Sequence, residues 1–169
     1  MSADAPPHPL APLLPPLLPL ERAYLGVMRL RAVILWTILT LLAGAGDAAL
    51  VWRFGTLPGL VTGPVLLLGL LAVFWLAPGR WNRWRYAFTG TELHVARGWL
   101  FRLHTVVPVV RVQHIDISQG PLERGAGVAT LQVHTAGTEH SLVVLPGLAL
   151  ARAGEIRDAI RAQIRDTAG

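Results

Sequence analysis

The chain has 169 residues, 53% of them hydrophobic, with a mean hydropathy of +0.49, a formal charge of +5 and no cysteine. The missing cysteines exclude disulfides, thiolate catalysis and cysteine-based zinc sites. Every basic side chain is arginine, which excludes a phosphate loop built on lysine, and the arginines are too scattered to make a nucleic-acid stripe.

Residues 6–19 read PPHPLAPLLPPLLP. Proline cannot continue a helix, so residues 1–20 are expected to form an extended, Pro-rich arm lying near lipid headgroups or docking a partner. No basic n-region of a secretory signal precedes it. Residues 21–31, ERAYLGVMRLR, form a short amphipathic lead-in. Two apolar stretches follow, at about 32–52 and 57–77. Each matches the ~20 residues a helix needs to cross hydrocarbon. Residues 21–80 therefore read as a membrane anchor of two helices.

Arg22, Arg29 and Arg31 precede the first stretch, and Arg80, Arg83 and Arg85 follow the second. The connection holds Arg53 alone. Arginines flanking spans stay cytoplasmic, so both termini are expected inside. Trp36 and Trp52, and the cluster Trp75, Trp81 and Trp84, suit interfacial belts. Asp47, the acid within a span, is expected to reach the interface or pair with Arg53. Gly59 and Gly63 have the spacing that lets helices approach closely.

From Arg83 the apolar period shortens to two. Three short strands are expected over residues 83–108, with turns at Gly90-Thr91 and Arg97-Gly98. Another strand follows over 109–118, then a loop over 120–127. A hairpin joins 128–135 to 140–145 across Ala136-Gly137-Thr138. After Pro146-Gly147 a helix is expected from Leu150 to about Asp166. Ala153, Ile156, Ile160 and Ile164 make its apolar stripe. Consecutive short strands imply a curved antiparallel sheet, and the stripe implies that the helix plugs it as a small barrel.

This order, and the segments WRYAFTGTELHVARGWLFR (84–102), VVPVVRVQHIDISQGPLERGAGVATLQVHTAG (106–137) and LPGLALARAGEIRDAI (145–160), resemble the bacterial PH-domain membrane proteins of the YdbS-like family. The resemblance covers about residues 21–160; the Pro-rich arm is longer than the family pattern. It implies a two-helix transmembrane hairpin followed by an α+β PH-like domain at 81–169, a curved antiparallel sheet or barrel capped by a C-terminal helix. It implies a non-enzymatic cell-membrane protein. Some relatives are encoded beside a larger protein with several such domains, and some are linked to antimicrobial-peptide resistance. Phosphoinositide binding does not follow from the fold, because the first hairpin turn, Gly90-Thr91, is short and uncharged.

Six histidines invite a metal reading, but no H-x-x-x-H or H-E-x-x-H spacing occurs. Alternation puts His94, His104, His114 and His134 on outer faces. Ser118 near Asp116 and His114 shares a strand face with them without making a relay. No catalytic, cofactor or metal site is expected. The candidate partner or lipid surface is Arg111, Gln113, His114, Pro121, Leu122, Arg124, His134, Thr135 and Gly137. Its glycine-rich part also reads as turns needing positive φ.

The expected function is a binding or assembly module at the cytoplasmic face of the membrane. Its expected partners are the bilayer and another PH-domain membrane protein, with no nucleic acid. The alternative is an accessory subunit of a transport or export system in which the helices and Asp47 do the work.

Overall fold

The computed structural model describes residues 15–98, 103–136 and 142–168. Helix α1 runs Arg22–Phe54. The lead-in and the first apolar stretch are thus one helix, because no proline separates them. It ends at Gly55, whose φ of 66° lets its N–H bond back to Val51 O at 2.9 Å. Helix α2 runs Thr62–Trp81. Pro58 and Gly59 (φ 86°) hold residues 55–61 outside both helices, so α2 starts five residues later than the second apolar stretch. A π-turn at Ala72–Leu76 lies just before Pro78, whose ring excludes a regular helical bond.

The most apolar window of α1 is 6% buried, and that of α2 is 17% buried. A core helix of a soluble protein would hide such a surface. Here Leu41, Leu42, Phe74 and Trp75 all point outward. Water does not tolerate that arrangement and lipid does.

The helices touch through Trp36 and Gly69. A Cβ on Gly69 would lie 3.0 Å from that of Trp36. Trp36 therefore packs within the hairpin. At the expected pair, Gly59 and Gly63, a Cβ would meet nothing within 4 Å, so close packing falls to Gly69 instead.

Sheet A orders β1 (Leu18–Pro19), β2 (Arg85–Phe88), β3 (Glu92–Arg97) and β4 (Leu103–Pro108). The end of the Pro-rich arm is thus an edge strand, with Leu18 opposite Tyr86. Pro108 and a 3-10 turn at Val109–Arg111 carry the chain to sheet B. That turn takes the first three residues of the strand expected at 109–118. Sheet B orders β5 (Val112–Ser118), β6 (Val128–Thr135) and β7 (Leu142–Ala149), all antiparallel. The two sheets do not close into the expected barrel, because the proline and the 3-10 turn interrupt the ladder between β4 and β5.

Strand β7 does not stop at Leu145. Ala129 faces Leu148 while Leu131 faces Leu145, so Pro146-Gly147 forms a bulge opposite Thr130. A one-turn helix α3 (Pro121–Gly125) stands in place of the expected loop. Helix α4 (Leu150–Ala168) packs on sheet B and the 3-10 turn and buries Ala153, Ile156 and Ile160 in the core, with Ile164 partly buried against it. The fold is thus two apolar helices, a PH-like pair of antiparallel sheets and a capping helix.

The first turns of α1 belong to the same core. Tyr24 and Val27, with Leu20 just before the helix, are buried with Leu93, Leu131 and Leu145. Burying each such side chain contributes about 1.5–3 kcal/mol. Three of them rival the ~5–15 kcal/mol that holds a small domain together. The hairpin and the PH-like domain are therefore one folded unit.

Candidate functional site

Sheet B presents its inner face to the core through Ile115, Leu131, Val133 and Leu145. Alternation then sends His114, Asp116, Ser118, Gln132 and His134 outward. Asp116 stands between the two histidines. His114 Nε2 is 2.8 Å from its Oδ1, and His134 Nε2 is 3.6 Å from its Oδ2. The two rings lie 5.8 Å apart. Gln132 donates to Ser118 Oγ at 3.3 Å. The result is a polar face whose side chains orient one another while remaining open to solvent or a partner.

The expected surface divides in two. His114 and His134 are neighbours across β5 and β6, with Gln113 exposed beside them at a register shift. Thr135 pairs with Val112, and Arg111 uses its carbonyl to accept from Ala136 N at 2.9 Å. Pro121, Leu122 and Arg124 lie at the other end of the β5–β6 hairpin, in α3. At ~3.3 Å per residue, the four steps from His114 to Ser118 put about 13 Å between the groups. Leu122 packs against the core rather than facing a partner. The side chain of Arg124 is exposed. Gly137 lies outside the described residues.

The α3 end has a structural task that the sequence did not reveal. Glu123 is 6% exposed. It accepts from Gly120 N at 2.9 Å, from Thr130 Oγ1 at 3.5 Å and from Arg31 Nη2 at 2.9 Å. Arg31 belongs to α1, 92 residues away in sequence, so no local pattern announces the pair. Nearby, Glu21 N donates to Gly147 O and Trp81 Nε1 donates to Glu21 O, both at 3.0 Å. These bonds fix the domain against the mouth of the hairpin. Asp116 is likewise absent from the expected surface, although His-x-Asp on one strand already places it beside His114.

Two other expectations change. His94 is buried, 5% exposed, rather than on an outer face. It sits on β3, flanked by β2 and β4, opposite Ala87 and Val106. Glu92 Oε2 lies 3.2 Å from its Nε2, and the His104 ring lies 5.4 Å away. Asp47 does not pair with Arg53. Its carboxylate accepts from Val61 N at 3.1 Å, Thr62 N at 2.8 Å and Thr62 Oγ1 at 2.6 Å. It caps the start of α2 from the neighbouring helix, satisfying N–H groups that would otherwise be orphaned. Arg53 instead lies 5.8 Å over the Phe54 ring. Among the described residues, no group of three or more His, Asp or Glu side chains is arranged to hold a metal.

A family model described as bacterial PH domain matches residues 22–164, most of the chain and both of its halves. The chain belongs to the bacterial PH-domain family. The match begins at the first residue of α1, so the family unit includes the helical hairpin as well as the sheets, as the shared core requires. The chain is also similar to the UPF0699 transmembrane protein YdbS of Bacillus subtilis (strain 168), 39% identical over 108 residues. That match takes in 63% of this chain and 66% of YdbS, just under two thirds of the relative's length. No solved structure matches the chain. The bacterial PH-domain assignment and the outward apolar helices together make this a membrane-associated PH-like module.

Proposed function

We propose that both helices span the cell membrane, that both termini are cytoplasmic, and that the PH-like domain is a non-catalytic binding and assembly module. The observation that carries this reading is the shared core of α1 and the two sheets, which holds the domain at a fixed attitude over the bilayer. A module held in that way presents one face in one direction. That face is the outer surface of sheet B at His114, Asp116 and His134, and its partner is a second PH-domain membrane protein. Resistance to antimicrobial peptides is the trait that the family resemblance suggests such an assembly serves.

Chemical cross-linking in intact cells tests this. A membrane-permeant reagent is expected to give one discrete adduct containing another PH-domain membrane protein, and an impermeant reagent none. His134→Glu places a second acid beside Asp116 and is expected to weaken the adduct about tenfold, the loss expected of a central interface residue. An adduct unchanged in the variant, or one formed equally by the impermeant reagent, would overturn the reading.

A further inference from the structure

Where α2 leaves the apolar zone, two adjoining cavities of about 480 and 550 Å³ share Leu76, Arg80 and Arg83. The first continues along Leu71 and Trp75, which are apolar and outward-facing. The second continues to Trp84, Arg97 and Leu103 in the PH-like domain. Together they make one groove, greasy at the end nearer the middle of α2 and lined by three arginines at the other. Among the described residues, no acid lines it.

The arginines come from separate elements. Arg80 lies in the last turn of α2, Arg83 in the link to β2, and Arg97 ends β3. The Arg97 guanidinium lies 5.9 Å over the Trp84 ring, which orients it. Neither Arg80 nor Arg97 pairs with a carboxylate among the described residues. Guanidinium groups bind phosphate oxygens in pairs of parallel hydrogen bonds, and three around one cavity favour an anion strongly. Basic pockets at the cytoplasmic end of membrane helices suit anionic headgroups. The cavity sizes fall within the ~300–1,000 Å³ of small-molecule sites.

We infer that this groove holds one anionic glycerophospholipid, its phosphate between Arg80, Arg83 and Arg97 and an acyl chain along Leu71, Trp75 and Leu76. The site differs from the partner face on sheet B and joins the hairpin to the domain through a lipid. The inference rests on the hairpin being seated in a bilayer.

The test uses the full chain reconstituted in vesicles of phosphatidylcholine carrying a minor share of spin-labelled phosphatidylglycerol or, separately, spin-labelled phosphatidylcholine. Immobilised label is expected for phosphatidylglycerol well above that for phosphatidylcholine. Arg80→Gln with Arg97→Gln is expected to abolish the difference, whereas Arg161→Gln on the exposed side of α4 leaves it intact. Inorganic phosphate at millimolar concentration is expected not to displace the label. Equal immobilisation of both lipids, a preference that survives the double variant, or displacement by free phosphate would each overturn the lipid site. Co-sedimentation with the vesicles is read in parallel. A chain that stays with the vesicles but shows no lipid preference contradicts the site alone; one that washes off contradicts the membrane reading too.

Discussion

Gly147→Ala is expected to lower stability by about 3 kcal/mol, or roughly 10 °C in the midpoint of thermal unfolding in detergent. Two causes add. Gly147 has φ 70°, in the left-handed region that costs a residue with a side chain about 1–2 kcal/mol. A Cβ there would also lie 2.5 Å from Tyr24 Cγ and 2.6 Å from its Cδ1. Those atoms are the root of a ring on the first turn of α1, so relief requires the helix to move. Gly125→Ala is the control, because nothing lies within 4 Å of its Cβ position and its φ is not positive. It is expected to stay within ~0.5 kcal/mol of the parent. Equal behaviour of the two variants would contradict both the left-handed backbone at Gly147 and the packing of Tyr24 on β7; a loss of only about 1–2 kcal/mol would contradict the Tyr24 contact alone.

Glu123→Leu is expected to cost about 2–3 kcal/mol, because it strands the partly buried Gly120 N–H and Thr130 hydroxyl while removing the partner of Arg31. Glu123→Gln retains the carbonyl acceptor and the side-chain length. It is expected to lose roughly half as much, since a charge-assisted bond is about twice as strong as a neutral one. Urea unfolding in detergent, followed by tryptophan fluorescence, measures both. If Glu123→Leu is neutral, α3 is not a fastening between hairpin and domain.

Much of the architecture was legible because it rests on repeating patterns. Apolar length marks α1 and α2, and the stripe through Ala153, Ile156 and Ile160 marks α4. The errors arise where one local signal serves two geometries. Pro-Gly commonly marks a turn, and the expected strand stops before it, yet Pro146-Gly147 is a bulge inside β7, and both need a residue at positive φ. Strict alternation assumes one wet face, but on β3 His94 lies against the His104 ring and Glu92 and is buried as Leu93 is on the other face. Helix ends depend on caps that come from elsewhere in the chain, as Asp47 does for α2.

The candidate surface was legible only in part, for a related reason. His114 and Asp116 share a strand, so alternation alone places them together. His134 joins them only once the register of β5 and β6 is known. Glu123 in a glycine-rich segment looks like a solvated charge, and its partner Arg31 is too distant in sequence to suggest otherwise.

The most direct measurement concerns the fragment 82–169, which carries both main sheets and α4 but lacks Leu20, Tyr24 and Val27. Its amide NMR spectrum and thermal unfolding are expected to show poor dispersion and no cooperative transition, because the core is incomplete without the start of α1. A well-dispersed spectrum with a sharp transition would contradict the claim that anchor and domain fold as one body.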